Sequence, residues 1–558
     1  MSFARIPPFN ERHLWYAAAA LMALLYVAAV PHGWQCEASD EIEYLSLAHS
    51  LTTGAGYTIN GQPYGLYPPL FPVQLAMGLR ISGGVWWWLY ACNAAVGFAG
   101  LALLSSCIRR SYGAAGRWAS WFALVAYYAW SFSTRYLLAE QLVALFSAIA
   151  LVEFDRALRA GKTDLRAWLL VPLFVLLAAM TKASAAAVIA AVGMAGGLAW
   201  LLRRNRAALA LAVLSVALGG GFMVSWEIRA QFVTPDAPES YGRWVMKWVG
   251  LSTETTSVVA RNSGEGIAGD ASYADRASVM AQKIGTYVAS VVRPPDNFLP
   301  LAFFLAALCA AGLVRLLLGN PASPLGWYLL ISVLLGSLTY WASSYHRYLY
   351  PLTPILYLGC FLGAGWLARW PVLLVPFGCW GLVQTFLSGI APDASGAEGF
   401  YRLILGLLAA LTYIAMVAAP CLVPRLALRR VLVLAVLLLV VALHNGALAA
   451  DRFRRTLADE TPRQQKLVDA MACAAWIRAN TPADVRVVSS LPRMTAFLTQ
   501  RTAVAPEVGG EILLLLGPLQ GIPPFRPDVE SALLRKLEET GQHPLFASGG
   551  AAVYKLAP

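Results

Sequence analysis

Charged residues are scarce in this chain of 558 residues: Asp, Glu, Lys and Arg make up 13% of it, and apolar residues 58%. Roughly a quarter of the residues of a soluble globular protein are charged. This shortage excludes an ordinary soluble enzyme. Apolar runs of about 20 residues recur instead, and each is long enough to cross about 30 Å of hydrocarbon as a helix. The composition therefore predicts a polytopic integral membrane protein.

Sequence signatures of other protein classes are missing as well. The eight cysteines are scattered without the spacing of a metal site. The segment 450–558 has no glycine-rich nucleotide-binding loop, and the chain has no internal repeat of the kind found in many transporters. Residues 1–30 lack a small-residue cleavage site, so we interpret them as a retained first span. Cys36 and Cys473 fall in segments predicted outside the membrane, and a disulfide between them stays open.

The apolar runs predict about 13 spans. Short connections that alternate along the chain carry 17 Lys and Arg residues. Positive residues in short loops mark the cytoplasmic side, so the N-terminus is predicted inside and the C-terminal segment outside. The net charge of +12 then mostly encodes orientation and needs no nucleic-acid partner. The predicted spans lie near 14–30, 85–107, 117–134, 139–155, 166–181, 185–202, 207–225, 298–318, 325–342, 349–367, 371–389, 402–423 and 431–449.

This pattern divides the chain into a transmembrane domain, 1–449, and an extracytoplasmic domain, 450–558. Two long outer loops interrupt the first domain. Loop 31–84 is predicted to carry juxtamembrane helices, and loop 226–297 is polar, rich in Gly and Ser, and amphipathic over 272–292. The last domain alternates helix-like and strand-like segments, which predicts a small α/β fold.

The first outer loop opens with an acidic cluster, "HGWQCEASDEIEYLSLAHSL", which contains four carboxylates and no Lys or Arg. Asp40-x-x-Glu43 has the spacing of a capping box and predicts a helix over 41–52, ended by Gly54. In that interpretation Asp40 is a helix N-cap. Farther on, Asn60-Gly61 predicts a β-hairpin. A short helix is predicted to start at Leu70 and to lie along the membrane interface.

Five more ionisable residues are predicted on the same outer side: Arg135, Glu140, Lys182, His346 and Arg347. Charges at membrane depth are costly and usually face a cavity or a partner. Each also has a structural interpretation. The arginines can snorkel to the interface, and Lys182 can occupy a tight turn. Glu140 can be only a salt-bridge partner of Arg135, and His346 can be structural.

Together these groups favour chemistry on a lipid phosphate. A carboxylate can take a proton from a hydroxyl nucleophile while cations stabilise the charge that develops on a phosphate leaving group. Nucleotide sugars are absent outside a cell. A sugar carried on a membrane-anchored lipid phosphate would fit both the location and the charges.

The order of several motifs resembles a known family. It runs from "SDEIEYLSLAHSL" and "YPPLFPVQLA" through "RYLLAEQLVALFSAIAL" and "LLAAMTKASA" to "HRYLYPLTPIL" and an outer C-terminal domain. It is similar to the GT-C membrane glycosyltransferases, in particular the superfamily of protein O-mannosyltransferases and lipid A aminoarabinose transferases. The resemblance implies a mostly α GT-C fold with about 13 transmembrane helices and a small α/β extracytoplasmic C-terminal domain.

The resemblance also implies roles for individual residues. The catalytic carboxylate of the family matches Asp40, with Glu41 beside it. Its basic groups that contact the donor phosphate or the acceptor match Lys182 and Arg347. Residues expected in the same substrate site are Arg135, Glu140, His346, Tyr348, Tyr64 and Tyr67, although both tyrosines of the first loop are also typical interfacial aromatics.

One departure from the family concerns the sugar and the metal. The aminoarabinose transferases carry Glu-Lys where this chain has Leu66-Tyr67. The change removes a phosphate-binding lysine and a metal ligand, and so puts aminoarabinose as the sugar in doubt. Some relatives bind a divalent metal, but the sequence shows no complete ligand set, and no other cofactor is expected.

The sequence thus predicts an inverting glycosyltransferase of the bacterial inner membrane, with a polyprenyl-phosphate sugar donor and a periplasmic active site. The acceptor stays open among lipid A, a glycan and a protein. Two alternatives remain: a flippase or transporter of lipid-linked sugars, and a non-catalytic component of a surface-polysaccharide system. A transporter would show repeated halves and charges near mid-membrane, whereas these charges gather at span ends.

Overall fold

The structure is a computed structural model of the whole chain. It describes most of the first 233 residues and several later segments. Predictions for 371–449, for most of 226–297 and for Cys36, His346 and Tyr348 lie outside the described residues. The described residues are 11–31, 39–59, 61–124, 126–161, 163–233, 281–282, 284, 299–338, 347, 349–367, 462–490, 492–504, 508–515, 527–549 and 551–556.

The described residues up to 367 are mostly helical. Helices α7 and α8 pack antiparallel, α4 packs on α5 and α7, and α11 packs on α13. Short 3-10 turns at Ala183–Ala185 and Tyr350–Leu352 precede α9 and α13. The helices are α1 (Glu11–Ala28), α2 (Ser39–Thr53), α3 (Leu70–Ser82), α4 (Trp86–Ser111), α5 (Gly113–Leu124), α6 (Tyr127–Arg135), α7 (Glu140–Ala160), α8 (Leu165–Thr181), α9 (Ala186–Arg203), α10 (Arg206–Val233), α11 (Leu299–Gly319), α12 (Pro324–Leu338) and α13 (Thr353–Leu367).

Three stretches of the described chain are helical, long and apolar enough to cross a membrane: 86–111, 183–203 and 206–233. Shorter apolar helices accompany them. The bounds of the observed helices differ from those of the predicted spans in two places. The span predicted over 117–134 is two helices, α5 and α6, with a break after Leu124. Helix α10 runs to Val233, so the outer loop predicted from 226 begins with helix.

The basic connections meet at one end of the helix bundle. At this end Arg109 lies 3.6 Å and Arg117 4.0 Å from Glu11, which begins α1. Arg203, at the end of α9, donates a hydrogen bond of 2.9 Å to the side chain of Asn320, which follows α11. The sidedness expected from these positive loops stays a prediction.

The first outer loop contains the predicted elements but not the predicted cap. Helix α2 ends before Gly54, which has a φ of 78°. Strands β1 (Thr58–Ile59) and β2 (Gln62–Pro63) pair antiparallel as the predicted hairpin. Helix α3 begins at Leu70, as predicted. Asp40, however, lies inside the first turn of α2, and its side chain leaves the helix to contact another part of the protein.

Two glycines of α4 allow the close packing that positions the site. A Cβ at Gly100 would lie 2.7 Å from the backbone nitrogen of Leu145 on α7. A Cβ at Gly97 would lie 2.5 Å from the hydroxyl of Tyr350, in the turn before α13. Since van der Waals contact requires about 3.5–4.0 Å, any larger residue would push α7 or this turn away. The start of α7 and the segment before α13 carry two of the charged residues described below, Glu140 and Arg347.

The described residues from 462 onward form a mixed five-stranded sheet with helices. The strand order is β4-β3-β5-β7-β6, with β3 parallel to β4 and β5, and β7 antiparallel to β5 and β6. One of the helices, α15, packs on α2, where the rings of His49 and Phe497 lie 6.4 Å apart. The elements are α14 (Pro462–Asn480), β3 (Arg486–Val488), α15 (Pro492–Thr499), β4 (Thr502–Val504), β5 (Ile512–Leu515), α16 (Pro527–Glu539), β6 (Phe546–Ser548) and β7 (Ala551–Lys555).

Candidate functional site

An ion pair joins the acidic cluster to the chain segment before α13. Nη1 of Arg347 donates a hydrogen bond of 2.8 Å to Oδ2 of Asp40. Both side chains are mostly shielded from solvent, with 16% and 18% of their surfaces exposed. A charge-assisted bond of this kind is stronger than a neutral hydrogen bond. It holds the first turn of α2 against the segment that leads into α13.

A second, deeper ion pair lies next to the first. The ammonium of Lys182 donates a hydrogen bond of 2.7 Å to Oε1 of Glu140, and both residues are buried. Nε of Arg347 lies 3.4 Å from the same oxygen. The four charges therefore alternate in sign, in the order Asp40, Arg347, Glu140 and Lys182. We call these four residues the charge cluster.

Local backbone structure places three of the four members, Asp40, Glu140 and Lys182, at the end of a helix. Asp40 is in the first turn of α2, and Glu140 is the first residue of α7. Carboxylates are favourable at these positions because a helix N-terminus carries partial positive charge. Lys182 is the extended residue that ends α8, with φ −163° and ψ 150°. Since α7 and α8 are antiparallel neighbours, the start of one meets the end of the other.

Burial and the neighbouring charges act in opposite directions on Asp40, which lies in the first outer loop. Burial disfavours its ionised form, but Arg347, Lys182 and a hydrogen bond from the Tyr67 side chain favour it, and the net effect lowers the pKa of Asp40 below its ordinary value. The carboxylate is therefore ionised and paired in the arrangement seen here. In this state it is a weak base.

Glu41, next to Asp40 in the chain, contacts a different helix. It is fully buried, and its Oε1 accepts a hydrogen bond of 2.6 Å from the hydroxyl of Tyr90 on α4. This contact anchors α2 to α4. The structure thus separates two adjacent carboxylates that the sequence places together, because successive helical residues point about 100° apart.

Two residues that sequence reasoning did not select support the site. Glu43, in α2, accepts a hydrogen bond from the hydroxyl of Tyr64. Its membership of the acidic cluster was the available signal, but the capping-box interpretation assigned it to the helix end. Tyr90 occurs in an apolar run, "WWWLY", and carries no signal in the sequence that would distinguish it from a lipid-facing aromatic residue.

The other sequence-selected residues differ in their placement. Tyr67 is buried beside Asp40, and its ring lies 4.5 Å from that of Tyr44. Arg135 ends α6, shortly before Glu140 in the chain. Within the described part of the chain, the ion-pair partners of Glu140 are Lys182 and Arg347 rather than Arg135. The alternative in which Glu140 pairs only with Arg135 was therefore wrong.

The described residues do not provide a metal site. Among them, no three His, Cys, Asp or Glu side chains come together in a way that could hold a metal ion. The two carboxylates of the charge cluster are each already neutralised by a cation. Leu66 and Tyr67, in the first outer loop, add no ligand that a divalent ion prefers. We therefore derive no step of the reaction from a metal.

Comparison with known proteins establishes the fold. No protein-family model and no curated protein matches this sequence. The fold is similar to that of ArnT from Cupriavidus metallidurans, bound to undecaprenyl phosphate and in the apo state, with a TM-score of 0.57 in both cases. The identities are 14% and 15%, and the alignments cover 97% and 98% of this chain and 98% of ArnT.

A further similarity is to the archaeal oligosaccharyltransferase AglB from Archaeoglobus fulgidus, in complex with an inhibitory peptide and a dolichol-phosphate. Its TM-score is 0.47 at 12% identity, over 90% of this chain and 66% of AglB. The expected mostly helical GT-C fold is confirmed by the ArnT comparison.

Proposed function

We propose that this protein is a membrane glycosyltransferase that moves a sugar from a polyprenyl-phosphate donor to an acceptor at the outer face of the bacterial inner membrane. The charge cluster is the observation that carries this proposal. It brings a carboxylate of the first outer loop into contact with two cations from distant parts of the chain. The fold of ArnT, a protein crystallised with undecaprenyl phosphate, supports the choice of donor.

The two cations are the proposed phosphate-binding groups. Arg347 is suited to hold a phosphate because its planar guanidinium donates parallel hydrogen bonds to two oxygens. Lys182 supplies a compact charge that is already desolvated and oriented by Glu140. Preorganised cations of this kind stabilise the negative charge that develops on a leaving phosphate without reorganising during the reaction.

Asp40 is the proposed general base. An oxygen of the acceptor attacks the anomeric carbon, and the bond between that carbon and the donor phosphate breaks, with its electron pair leaving on the phosphate. The proton of the acceptor hydroxyl passes to Asp40. A single displacement inverts the configuration at the anomeric carbon. General base catalysis of this kind typically contributes about 10²–10⁴-fold in rate.

The pairing of Asp40 with Arg347 gives this base a dependence on the donor. An incoming phosphate competes for the guanidinium that Asp40 holds at 2.8 Å. As Arg347 turns to the phosphate, Asp40 loses its strongest neighbouring cation and becomes more basic. The base is then activated only when the donor is bound.

Glu41 and Glu140 have supporting roles in this proposal. Glu140 orients both cations through one oxygen. Glu41 anchors α2 through Tyr90 and so fixes the direction in which Asp40 points. The acceptor can be a lipid, a glycan or a protein, and residues Arg135, His346, Tyr348 and Tyr64 remain candidates for contacts with donor or acceptor.

The test is a reaction of the purified full-length protein with undecaprenyl phosphate carrying different sugars. Release of undecaprenyl phosphate, dependent on an added acceptor fraction from the cell envelope and abolished by Asp40→Asn, is expected. Movement of the intact lipid-linked sugar across liposomes without its cleavage would instead identify a transporter. Binding of the donor without either event would identify a non-catalytic component.

A further inference from the structure

A cluster of aromatic side chains around Arg229 joins the end of α10 to the first outer loop. The guanidinium of Arg229 lies 4.5 Å from the ring centre of Trp226 and 5.6 Å from that of Tyr57. Its Nη1 donates a hydrogen bond of 2.9 Å to the carbonyl oxygen of Tyr64. Cation–π contacts of this geometry are attractive. Arg229 therefore fixes the loop at Tyr64 and holds the ring of Tyr57 in place.

Tyr57 carries this restraint to the chain beside Asp40. Its hydroxyl donates to the carbonyl oxygens of Tyr67, at 2.8 Å, and of Pro68, at 3.2 Å. Burial raises the pKa of Tyr57 despite the opposing effect of Arg229, so the hydroxyl stays protonated and remains a donor. The backbone of Tyr67 is thus held on one side by the half-buried phenol of Tyr57.

The side chain of Tyr67 is held on the other side. Its ring packs against those of Tyr44 and Tyr64, with centres 4.5 Å and 5.8 Å apart. Its side chain forms a hydrogen bond with Asp40. A continuous path of contacts therefore runs from Arg229 through Tyr57 and Tyr67 to the proposed base.

We infer that Tyr57 and Arg229 are positioning residues, which act on the reaction by orienting Tyr67 against Asp40. This inference rests on the proposed function. Neither residue touches the charge cluster in the described contacts, and neither was selected from the sequence. If this path operates, removal of the Tyr57 hydroxyl should weaken the hydrogen bond between the Tyr67 side chain and Asp40.

The groups facing Asp40 decide what such a change does to the pH dependence. They are Arg347, Lys182 and Tyr67, with Glu140 behind the first two. The hydrogen bond from Tyr67 favours the ionised carboxylate. If Tyr67 turns away, Asp40 protonates at higher pH, and the acid limb of the rate profile moves upward while the two cations stay in place.

A double-mutant cycle tests the path in the full-length protein, with the sugar-linked undecaprenyl phosphate that supports turnover. Tyr57→Phe keeps the ring beneath Arg229 and removes only the hydroxyl. We expect kcat to fall about threefold to tenfold, as for loss of one hydrogen bond, with the acid limb moving in the same direction as in Tyr67→Phe. The double variant should be no slower than Tyr67→Phe alone, because both changes break one path.

Two further variants complete the design. Arg229→Gln should lower kcat by a similar factor, and Arg229→Lys, which lacks the planar stacking group, should restore little of it. Tyr112→Phe is the matched control. Tyr112 follows the last residue of α4, at the end away from Tyr90 and the first outer loop, so this change should leave kcat and the pH profile unchanged. Multiplicative effects of Tyr57→Phe and Tyr67→Phe, or a Tyr57→Phe rate equal to wild type, would overturn the inference.

A measurement without substrate separates this inference from the proposed function. Hydrogen exchange of backbone amides in 64–70, followed by mass spectrometry, should be faster in Tyr57→Phe than in wild type and unchanged in Tyr112→Phe. Unchanged exchange would overturn the path. An inactive wild type with faster exchange in Tyr57→Phe would reject the proposed function and leave the positioning contacts standing.

Discussion

Arg347 donates a 2.8 Å hydrogen bond to Asp40 from 307 positions farther along the chain. The contact closes the charge cluster between α2 and the segment before α13. Because Arg347 also lies near Glu140, one guanidinium is shared by two carboxylates of different helices. This sharing leads to several testable consequences.

The first prediction concerns Asp40→Asn. The amide keeps the shape of the side chain and can still accept a hydrogen bond from Arg347, but it cannot take a proton. We expect kcat to fall by about 10²–10⁴, with near-normal expression, measured as release of undecaprenyl phosphate. Asp164→Asn, at an exposed carboxylate paired with Arg156 near the basic loops, is the control and should retain activity. Wild-type turnover by Asp40→Asn would exclude this residue as the base.

A second prediction concerns the planar guanidinium group of Arg347. Arg347→Lys keeps the charge but loses parallel donation to two phosphate oxygens. We expect weaker binding of undecaprenyl phosphate by about tenfold, consistent with the loss of one charge-assisted bond, and a larger loss in Arg347→Ala. Titration with the lipid in detergent measures both. Equal affinities in all three proteins would place the phosphate elsewhere.

The pH dependence provides a third prediction. In the free protein, Arg347, Lys182 and Tyr67 outweigh burial and lower the pKa of Asp40. The acid limb of kcat/KM, which reports the free enzyme, should therefore fall below about pH 4, the usual value for Asp. The donor phosphate draws Arg347 away, so the acid limb of kcat should lie at higher pH. If the acid limb of kcat lies at the same pH as that of kcat/KM, or at a lower pH, Arg347 does not move from Asp40 to the donor phosphate.

The buried pair of Glu140 and Lys182 gives a fourth prediction, on stability. Removing one partner leaves an uncompensated buried charge, which typically costs about 3–5 kcal/mol. Glu140→Gln and Lys182→Met should each lower the thermal transition in detergent strongly, and the double variant should recover part of the loss. Additive losses would indicate that the two charges do not interact. Lys182→Met and the double variant should also lose activity, because Lys182 is a proposed phosphate ligand. Glu140→Gln should lose activity because Glu140 orients both cations.

The fifth prediction separates the two adjacent carboxylates. Glu41 is fully buried on Tyr90, so Glu41→Gln should lower the thermal transition while keeping kcat within about tenfold, an effect comparable to one lost hydrogen bond. Tyr90→Phe should behave similarly. A loss of activity in Glu41→Gln as large as that in Asp40→Asn, without loss of stability, would show that Glu41 is the base.

Much of the local structure could be predicted from the sequence. The hairpin at Gly61 and the helix from Leu70 follow from turn chemistry and apolar periodicity, which act over a few residues. The cap at Asp40 could not be predicted correctly, since a capping box and a long-range ion pair use the same carboxylate. The break after Leu124 was missed because an apolar run has the same hydropathy whether it folds as one helix or as two.

The candidate site shows the same division. Asp40, Glu140, Lys182 and Arg347 were selected because charges in an apolar chain are conspicuous, and the structure brings these four together. Tyr57, Tyr90 and Arg229 were not selected, since an aromatic residue or an arginine at a span end has an ordinary interfacial explanation.

By itself the sequence determined the membrane class, the sidedness expected from its basic loops and the identity of the costly charges, because each depends on composition and short-range order. Only the tertiary structure decided which carboxylate meets which cation. Helix packing turns Asp40 toward Arg347 and Glu41 toward Tyr90. Helical periodicity shows that neighbouring residues lie on different faces, but the partner that each face meets comes from a distant part of the chain, which a local pattern does not reveal.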